Sequence, residues 1–264
     1  MQIAFIGAGN MGGALARGII ANRNDILVRV YDTDPSRLEG LGKEPNCTVF
    51  HSPEKACEDA DMVVFALKPG ILPDVMALLL PVLKGKLVVS VAAGIKLKRY
   101  EEILPGERII RVMPNMPVLT GEGMTTVVKG TLATDRDLRD VLDVFDSVGR
   151  TMVLEEKDMD AATALAGSSP AYVFMLIEAM ADAGVGLGLQ RDKAYVLAAQ
   201  AVMGSAKMVL EGGEHPASLK DKICSPGGAT IEGVRDLEQE GFRQAMIKAV
   251  NAAAWKSMRM GEGR

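Results

Sequence analysis

The sequence predicts an α/β chain in two parts: strand–helix alternation over residues 1–154, then an all-α part over 155–264. Three observations carry this. Short β-rich runs alternate with helical stretches in the first part, as βαβ units around a mostly parallel sheet do. Beyond that part, β-branched runs of strand quality stop, and Ala, Met and Leu fill long segments of helical texture. A glycine-rich turn directly follows the first strand and leads into a helix.

The spacing predicts strands at Gln2–Ile6, Ile26–Tyr31, Met62–Ala66, Leu87–Val91, Ile109–Val112 and Thr125–Val128. Between them it predicts helices at Met11–Ala21, Pro35–Leu41, Ile71–Leu83 and Thr134–Val148. The last carries apolar residues at 138, 141, 142, 145 and 148, close to the helical period, and Thr134 with Asp137 three residues on marks a capping-box start. In the second part Ala161–Leu187, Lys193–Leu210 and Phe242–Met260 read as long helices, several apolar over much of their circumference. So short a domain offers such helices few partners, so a second subunit is expected to bury the remaining faces. The Met-rich segments fit core and dimer surface better than a cofactor site. The final stretch, Met258–Arg264, is expected to fray.

Charge and composition narrow the function classes. Thirty basic against 34 acidic residues give −4, so there is no basic footprint for nucleic acid or an anionic membrane. With 48% hydrophobic and 24% charged residues, wholesale disorder is excluded. Three dispersed cysteines and two histidines argue against a disulfide framework and a multi-histidine metal centre, and fit reduced thiols in a cytoplasmic protein. The longest apolar run, Val75–Leu83, is interrupted by Pro81 and is shorter than a membrane span of about 20 residues. The N-terminus lacks a basic n-region and reads at once as a strand, so no signal peptide is expected.

The glycine-rich turn is Gly7-Ala8-Gly9-Asn10-Met11-Gly12, a G-x-G-x-x-G run with a strand before it and a helix after. Gly7 permits the tight turn, Gly9 lets backbone approach a pyrophosphate, and Gly12 allows close helix–strand packing; the helix N-terminus then faces the anion. This points to a Rossmann-like dinucleotide-binding domain. Asp32, at the end of the second strand, stands where a carboxylate accepts from the adenosine ribose 2′-OH, which favours NADH. Arg37, five residues on, is placed to clamp a 2′-phosphate instead, as NADPH requires. Taken structurally, Asp32, Asp34 and Arg37 also make an ordinary solvated turn and helix start, so the choice of cofactor stays open.

Further motifs run along essentially the whole chain: Phe5-Ile6-Gly7-Ala8-Gly9-Asn10-Met11, Ala66-Leu67-Lys68-Pro69, Ser90-Val91-Ala92-Ala93-Gly94, Arg111-Val112-Met113-Pro114-Asn115 and Gly167-Ser168-Ser169-Pro170-Ala171-Tyr172. The most specific is Ser225-Pro226-Gly227-Gly228-Ala229-Thr230, ahead of an amphipathic helix Ile231–Glu238. Together, in this order, they resemble the pyrroline-5-carboxylate reductases. The resemblance implies reduction of the cyclic imino acid 1-pyrroline-5-carboxylate to L-proline with NADPH or NADH. It also implies a helical C-terminal domain intertwined in a homodimer, with dimers often assembled into decamers. Carried over, Ile6, Gly7, Ala8, Gly9, Asn10 and Met11 would hold the pyrophosphate. Ala66, Leu67, Lys68, Pro69, Ala92, Ala93 and Gly94 would line the ribose and nicotinamide, with Asn115 near the nicotinamide. Lys68 by itself reads as a solvated flank or a backbone-positioned contact, and His215 before Pro216 as a turn residue.

The substrate chemistry fits the second motif. A ring bearing a carboxylate needs an anion site, and a helix N-terminus behind small residues supplies one. Gly227, Gly228 and Ala229 leave backbone N–H groups accessible there, and the resemblance places Ser225 near the carboxylate. Thr230 either caps the helix or bonds the ring nitrogen, the resemblance favouring the latter and a catalytic role in orienting that nitrogen. Glu156, at the start of the helical part, is a further candidate for substrate contact. Carbonyl reduction would need a stronger proton donor; β-hydroxyacid dehydrogenases, a related architecture, bring a catalytic Lys here, and Gly167–Met180 has none. Two departures stand out: Ser169 where the family usually has Gly, and Pro53 where many members carry an Asn that contacts the cofactor ribose. A reductase of another cyclic imine and a nucleotide-sensing protein without catalysis are the alternatives.

Overall fold

The computed structural model describes residues 1–261. The first strands and helices are β1 (Gln2–Ile6), α1 (Asn10–Asn22), β2 (Leu27–Tyr31), β3 (Cys47–Val49), α2 (Pro53–Cys57) and β4 (Met62–Phe65). There follow α3 (Leu72–Leu83), β5 (Leu87–Ser90), α4 (Leu97–Ile103), β6 (Arg108–Met113), β7 (Gly123–Lys129), α5 (Asp135–Asp146) and β8 (Gly149–Val153). The helical part holds α6 (Met159–Ala162), a π-turn (Thr163–Gly167), α7 (Ser169–Gly186), α8 (Arg191–Gly212), α9 (Pro216–Ile223), α10 (Ala229–Gln239) and α11 (Phe242–Gly261). Of the segment expected to fray, 258–261 continue α11, and 262–264 lie outside the described residues.

Among the described residues one sheet runs in the order β3-β2-β1-β4-β5-β6-β7-β8, parallel throughout except for the antiparallel pair β6–β7. Its central strands are buried on both faces, which is why they read as continuous apolar runs. Ile3 and Phe5 of β1 face one apolar layer with α1 and α5, while Ala4 and Ile6 face the other with α3 and Tyr100 of α4. Burying each such large side chain contributes about 1.5–3 kcal/mol. The capping box forms as the sequence predicts: Thr134 accepts from Asp137 N–H, and the Asp137 carboxylate accepts from Thr134 N–H. That buried carboxylate also takes the Arg108 guanidinium.

The predicted helix over 35–41 is instead two short 3₁₀ turns, Pro35–Leu38 and Leu41–Lys43. Gly40, left-handed at φ +85°, separates them. The Asp34 carboxylate accepts from Ser36 N–H and Oγ–H to start the first turn, and this pairing holds its carboxyl below the usual range. Strands β3 and β8 and helices α2, α4 and α9 are additions to the predicted set; all are short, and β3 and β8 are the sheet's edges.

Two compact units divide the chain: Met1–Ser168 with the end of α11 from Ala253, and Ser169–Ala252. In the first, Ser257 Oγ–H donates to Asp160 at 2.7 Å. In the second, α7 and α8 pack together, joined by an Asp182–Arg191 ion pair, and Tyr172 donates to the Ala249 carbonyl at 3.3 Å. Much apolar surface stays exposed there, with Phe174 64% and Met175 67% exposed. Within Glu156–Gly186 one 18-residue window has a mean hydropathy of 1.3, long and apolar enough by composition alone to cross a membrane.

Candidate active site

In the first unit the strand order reverses at β1, which pairs β2 on one side and β4 on the other. Ligands of open α/β sheets bind outside the carboxyl ends at such a point, and a cleft of about 940 Å³ opens there. Its wall starts with the glycine turn. Gly7 takes a left-handed φ of +103°, and a Cβ on it would stand 2.6 Å from the Ala66 carbonyl oxygen. A Cβ on Gly12 would stand 2.1 Å from the Gly7 carbonyl oxygen and 2.7 Å from Ala66 Cβ. These two glycines let α1 begin directly against the end of β1. Gly9 is the N-cap of α1 and supplies no side-chain cap, and the first turn carries no carboxylate. The amides at the head of α1 are thus left for an anion, and the helix dipole favours one. The donor set and the close-packed turn fit a dinucleotide pyrophosphate.

The structure gathers most of the predicted cofactor residues on this one surface. Ile6, Gly7, Ala8, Gly9, Asn10, Met11, Asp32, Arg37, Ala66, Leu67, Lys68, Pro69, Ala92 and Ala93 all line the cleft. Gly94 and Asn115 are not part of that lining. Asn115 is buried, donating from Nδ2 to the Ala166 carbonyl at 3.0 Å and accepting from Met124 N–H at 2.8 Å. It thereby ties the end of β6 to β7 and to the π-turn. Pro53, the departure from the family pattern, is the first residue of α2, capped by Ser52 Oγ, which accepts from Lys55 N–H.

Asp32 lines the cleft, and its carboxylate also serves the turn itself. It is buried, one carboxylate oxygen accepting from Ala8 N–H at 2.7 Å and the other from Asp34 N–H at 2.8 Å. It staples the glycine turn to the end of β2. Arg37 is half-exposed on the cleft wall, with Nη1 3.5 Å from Asp32 Oδ2 and Nε 3.4 Å from Asp34 Oδ2. Sequence reasoning missed Arg17, Met116 and Leu119, which also line the cleft. Arg17 lies seven residues after Asn10, two helical turns along one face of α1, so periodicity offered a signal for it. Met116 and Leu119 sit in a 3₁₀ turn, Met116–Thr120, and only the tertiary fold brings them there.

In the second unit the Ser225–Thr230 loop opens α10. Gly227 is left-handed at φ +67°, and Gly228 N–H donates to the Ser225 carbonyl at 3.0 Å. A Cβ on Gly228 would stand 2.2 Å from Ser225 Oγ. The N-cap of α10 is Gly228, with no side-chain cap among the described residues. Thr230 is therefore the second residue of the helix, exposed, and the alternative of a Thr230 cap is corrected: its position is already inside the first turn. Ser225, Gly227 and Ala229 are exposed with it. His215 caps α9, its Nδ1 accepting from Ala217 N–H, as a turn residue does. Glu156, in the first unit, is not part of the cleft lining and accepts on Oε1 from Arg111 Nη1 at 2.6 Å and from Leu97 N–H at 2.9 Å.

Comparison with known proteins agrees with this fold. Residues 156–260 match the family profile described as pyrroline-5-carboxylate reductase dimerisation, and residues 2–94 match NADP oxidoreductase coenzyme F420-dependent. The pyrroline-5-carboxylate reductase of Escherichia coli is 46% identical over 263 residues, 98% of either chain. That of Pisum sativum is 43% identical, covering 97% of this chain and 94% of its own. The crystal structure of Plasmodium falciparum pyrroline carboxylate reductase with NADP bound superposes with a TM-score of 0.89 at 37% identity, covering 99% of this chain and 98% of the other. With such identity along nearly the full length of both partners, this chain belongs to the pyrroline-5-carboxylate reductase family.

Proposed function

We propose that this chain reduces the C=N bond of 1-pyrroline-5-carboxylate to give L-proline, with NADPH or NADH as the reductant. The observation that carries the reading is the uncapped, glycine-opened N-terminus of α10 with Thr230 exposed in its first turn, in a chain of this family. Residues 1–154 form the dinucleotide-binding part and 155–264 the substrate-binding and dimerising part. Ile6–Met11 hold the pyrophosphate on the head of α1. Ala66–Pro69 and Ala92–Gly94 line the ribose and nicotinamide, and Asn115 acts behind them by fixing its turn. Arg37 takes the 2′-phosphate when NADPH is the cofactor.

When bound, the nicotinamide supplies a hydride. The rest falls to the chain's own residues. The amides of Gly228, Ala229 and Thr230, with Ser225 beside them, hold the substrate carboxylate against the positive end of α10. The Thr230 hydroxyl accepts from the protonated ring nitrogen and fixes which ring carbon faces the cofactor. An imine is basic enough to be partly protonated near neutral pH, so no strong general acid is required and positioning supplies much of the rate. Thr230→Ala is expected to lower kcat/KM at least about tenfold, the equivalent of about 1.4 kcal/mol of transition-state stabilisation. An unchanged kcat/KM in steady-state assays would remove Thr230 from the mechanism.

A homodimer through 156–260 belongs to the same reading, supported by the exposed Phe174 and Met175 of α7. Assembly of dimers into decamers and a cytoplasmic setting complete it. The latter is supported by three free cysteines, of which burial pushes the Cys57 thiol up to about 12 and Cys47 to about 11.

A further inference from the structure

The first unit also holds a polar cluster around Arg111 that lies outside the lining of the cleft. Arg111, in β6, is 3% exposed and lies in register beside Ser90 of β5. Its Nη1 meets Glu156 Oε1, yet Arg111 Nε and Glu156 Oε2 are buried with no hydrogen-bond partner among the described residues. The Arg111 end of the pair is buried while the Glu156 side chain is 31% exposed; such a pair is a weak source of stability, and the unpaired buried atoms weaken it further. Its worth must lie in what it holds in place.

What it holds is one short segment. Glu156 Oε1 also accepts from the N–H of Leu97, the first residue of α4, whose own N-cap Lys96 offers no side-chain cap. Glu156 thus caps α4 from 59 residues away in sequence. One turn into α4, buried Tyr100 accepts from Ser90 Oγ–H at 2.8 Å, and Ser90 Oγ in turn accepts from Ala92 N–H at 3.3 Å. Burial pushes the Tyr100 hydroxyl up to about 12, so it stays protonated at neutral pH. Residues 91–96 therefore run between two anchors, Ser90–Tyr100 at one end and Glu156–Arg111 at the other. Val91, Ala92 and Ala93 of that segment line the cleft.

We infer that Ser90, Tyr100, Arg111 and Glu156 are positioning residues: a clamp that holds the 91–96 segment against the nicotinamide half of the cofactor. The inference rests on the reading of the cleft as the dinucleotide site. It moves Glu156 from substrate contact to support of the cofactor wall, and it couples the first residues after β8 to that wall through a single carboxylate. The adenosine half is held by other residues, the glycine turn with Asp32 and Arg37, so the clamp acts on one end of the cofactor only.

That asymmetry supplies the test. The affinities of NADPH and of 2′-phospho-ADP-ribose, which lacks the nicotinamide, are measured by calorimetric titration on the full chain, wild type, Glu156→Gln and Tyr100→Phe. Glu156→Gln is expected to weaken NADPH about tenfold while 2′-phospho-ADP-ribose stays within about twofold. Tyr100→Phe, nearly isosteric and able to serve if the first variant fails to fold, shifts the same ratio in the same direction. Equal weakening of both ligands would overturn the clamp, as would unchanged affinities with a lowered Tm, the mark of a merely structural role. Were the wild type to bind neither ligand, the cleft reading would fall and the clamp with it. Binding of both by the wild type, with no change of ratio in the variants, would sink the clamp alone.

Discussion

Replacing Gly12 with alanine is expected to weaken NADPH and NADH alike by at least about thirtyfold, or roughly 2 kcal/mol. The added Cβ would stand 2.1 Å from the Gly7 carbonyl oxygen and 2.7 Å from Ala66 Cβ, and neither is the yielding end of a flexible side chain. Helix α1 must back away from the end of β1, and the amides at its head leave the position in which they meet the pyrophosphate. Overpacking of this kind typically costs about 1–3 kcal/mol. Gly70→Ala is the control, since a Cβ there meets nothing within 4 Å although Lys68 and Pro69 just before it line the same cleft. Calorimetric titration of both variants reads the difference, and equal affinities would mean that the close approach of α1 does not build the site.

The next largest effect is expected at Asp32, and its pattern separates two roles. As the staple seen here, Asp32 accepts from the amides of Ala8 and Asp34. Hydrogen bonds to a charged group contribute about 1.5–3 kcal/mol each. Asp32→Ala should then raise KM for NADH and NADPH together, each by more than about tenfold, because the whole turn loosens. Acting only on the ribose 2′-OH, the same carboxylate would matter for NADH alone. Arg37→Ala provides the opposite signature: the half-exposed guanidinium pairs with the two neighbouring carboxylates, so its removal should raise KM for NADPH about tenfold and leave NADH within about twofold. Parallel initial-rate series with the two cofactors check all four numbers. A rise for NADH alone in Asp32→Ala would restore the ribose role.

What could be read in advance was what is written locally. The Gly7–Gly12 spacing between an apolar strand and a helix marks a tight turn without reference to distant residues, and Thr134 with Asp137 dictates a helix start. Buried parallel strands announce themselves as apolar runs, so β1, β4 and β5 fall within a residue of expectation. Strands β3 and β8 escape because an edge strand of three to five residues is made by pairing with its neighbour. Helices as short as α2 and α4 are made by caps and packing, and the cap of α4 comes from Glu156, far along the chain. The same distance in sequence hides the Glu156–Arg111 pair and the arrival of Met116 and Leu119 at the cleft. Asp32 was legible as a residue of the site, while its commitment to the turn's own amides depends on a loop geometry that no spacing reports.

The most direct measurement is the fall in nicotinamide absorbance when the purified chain is mixed with 1-pyrroline-5-carboxylate and NADPH or, in parallel, NADH. Imine-dependent oxidation of the cofactor, with L-proline formed in equal amount, is the expected result. Folded protein that binds the cofactor and yet oxidises neither form with this imine, or does so only with a cyclic imine lacking the carboxylate, would contradict the assignment of the Ser225–Thr230 loop and the reaction built on it.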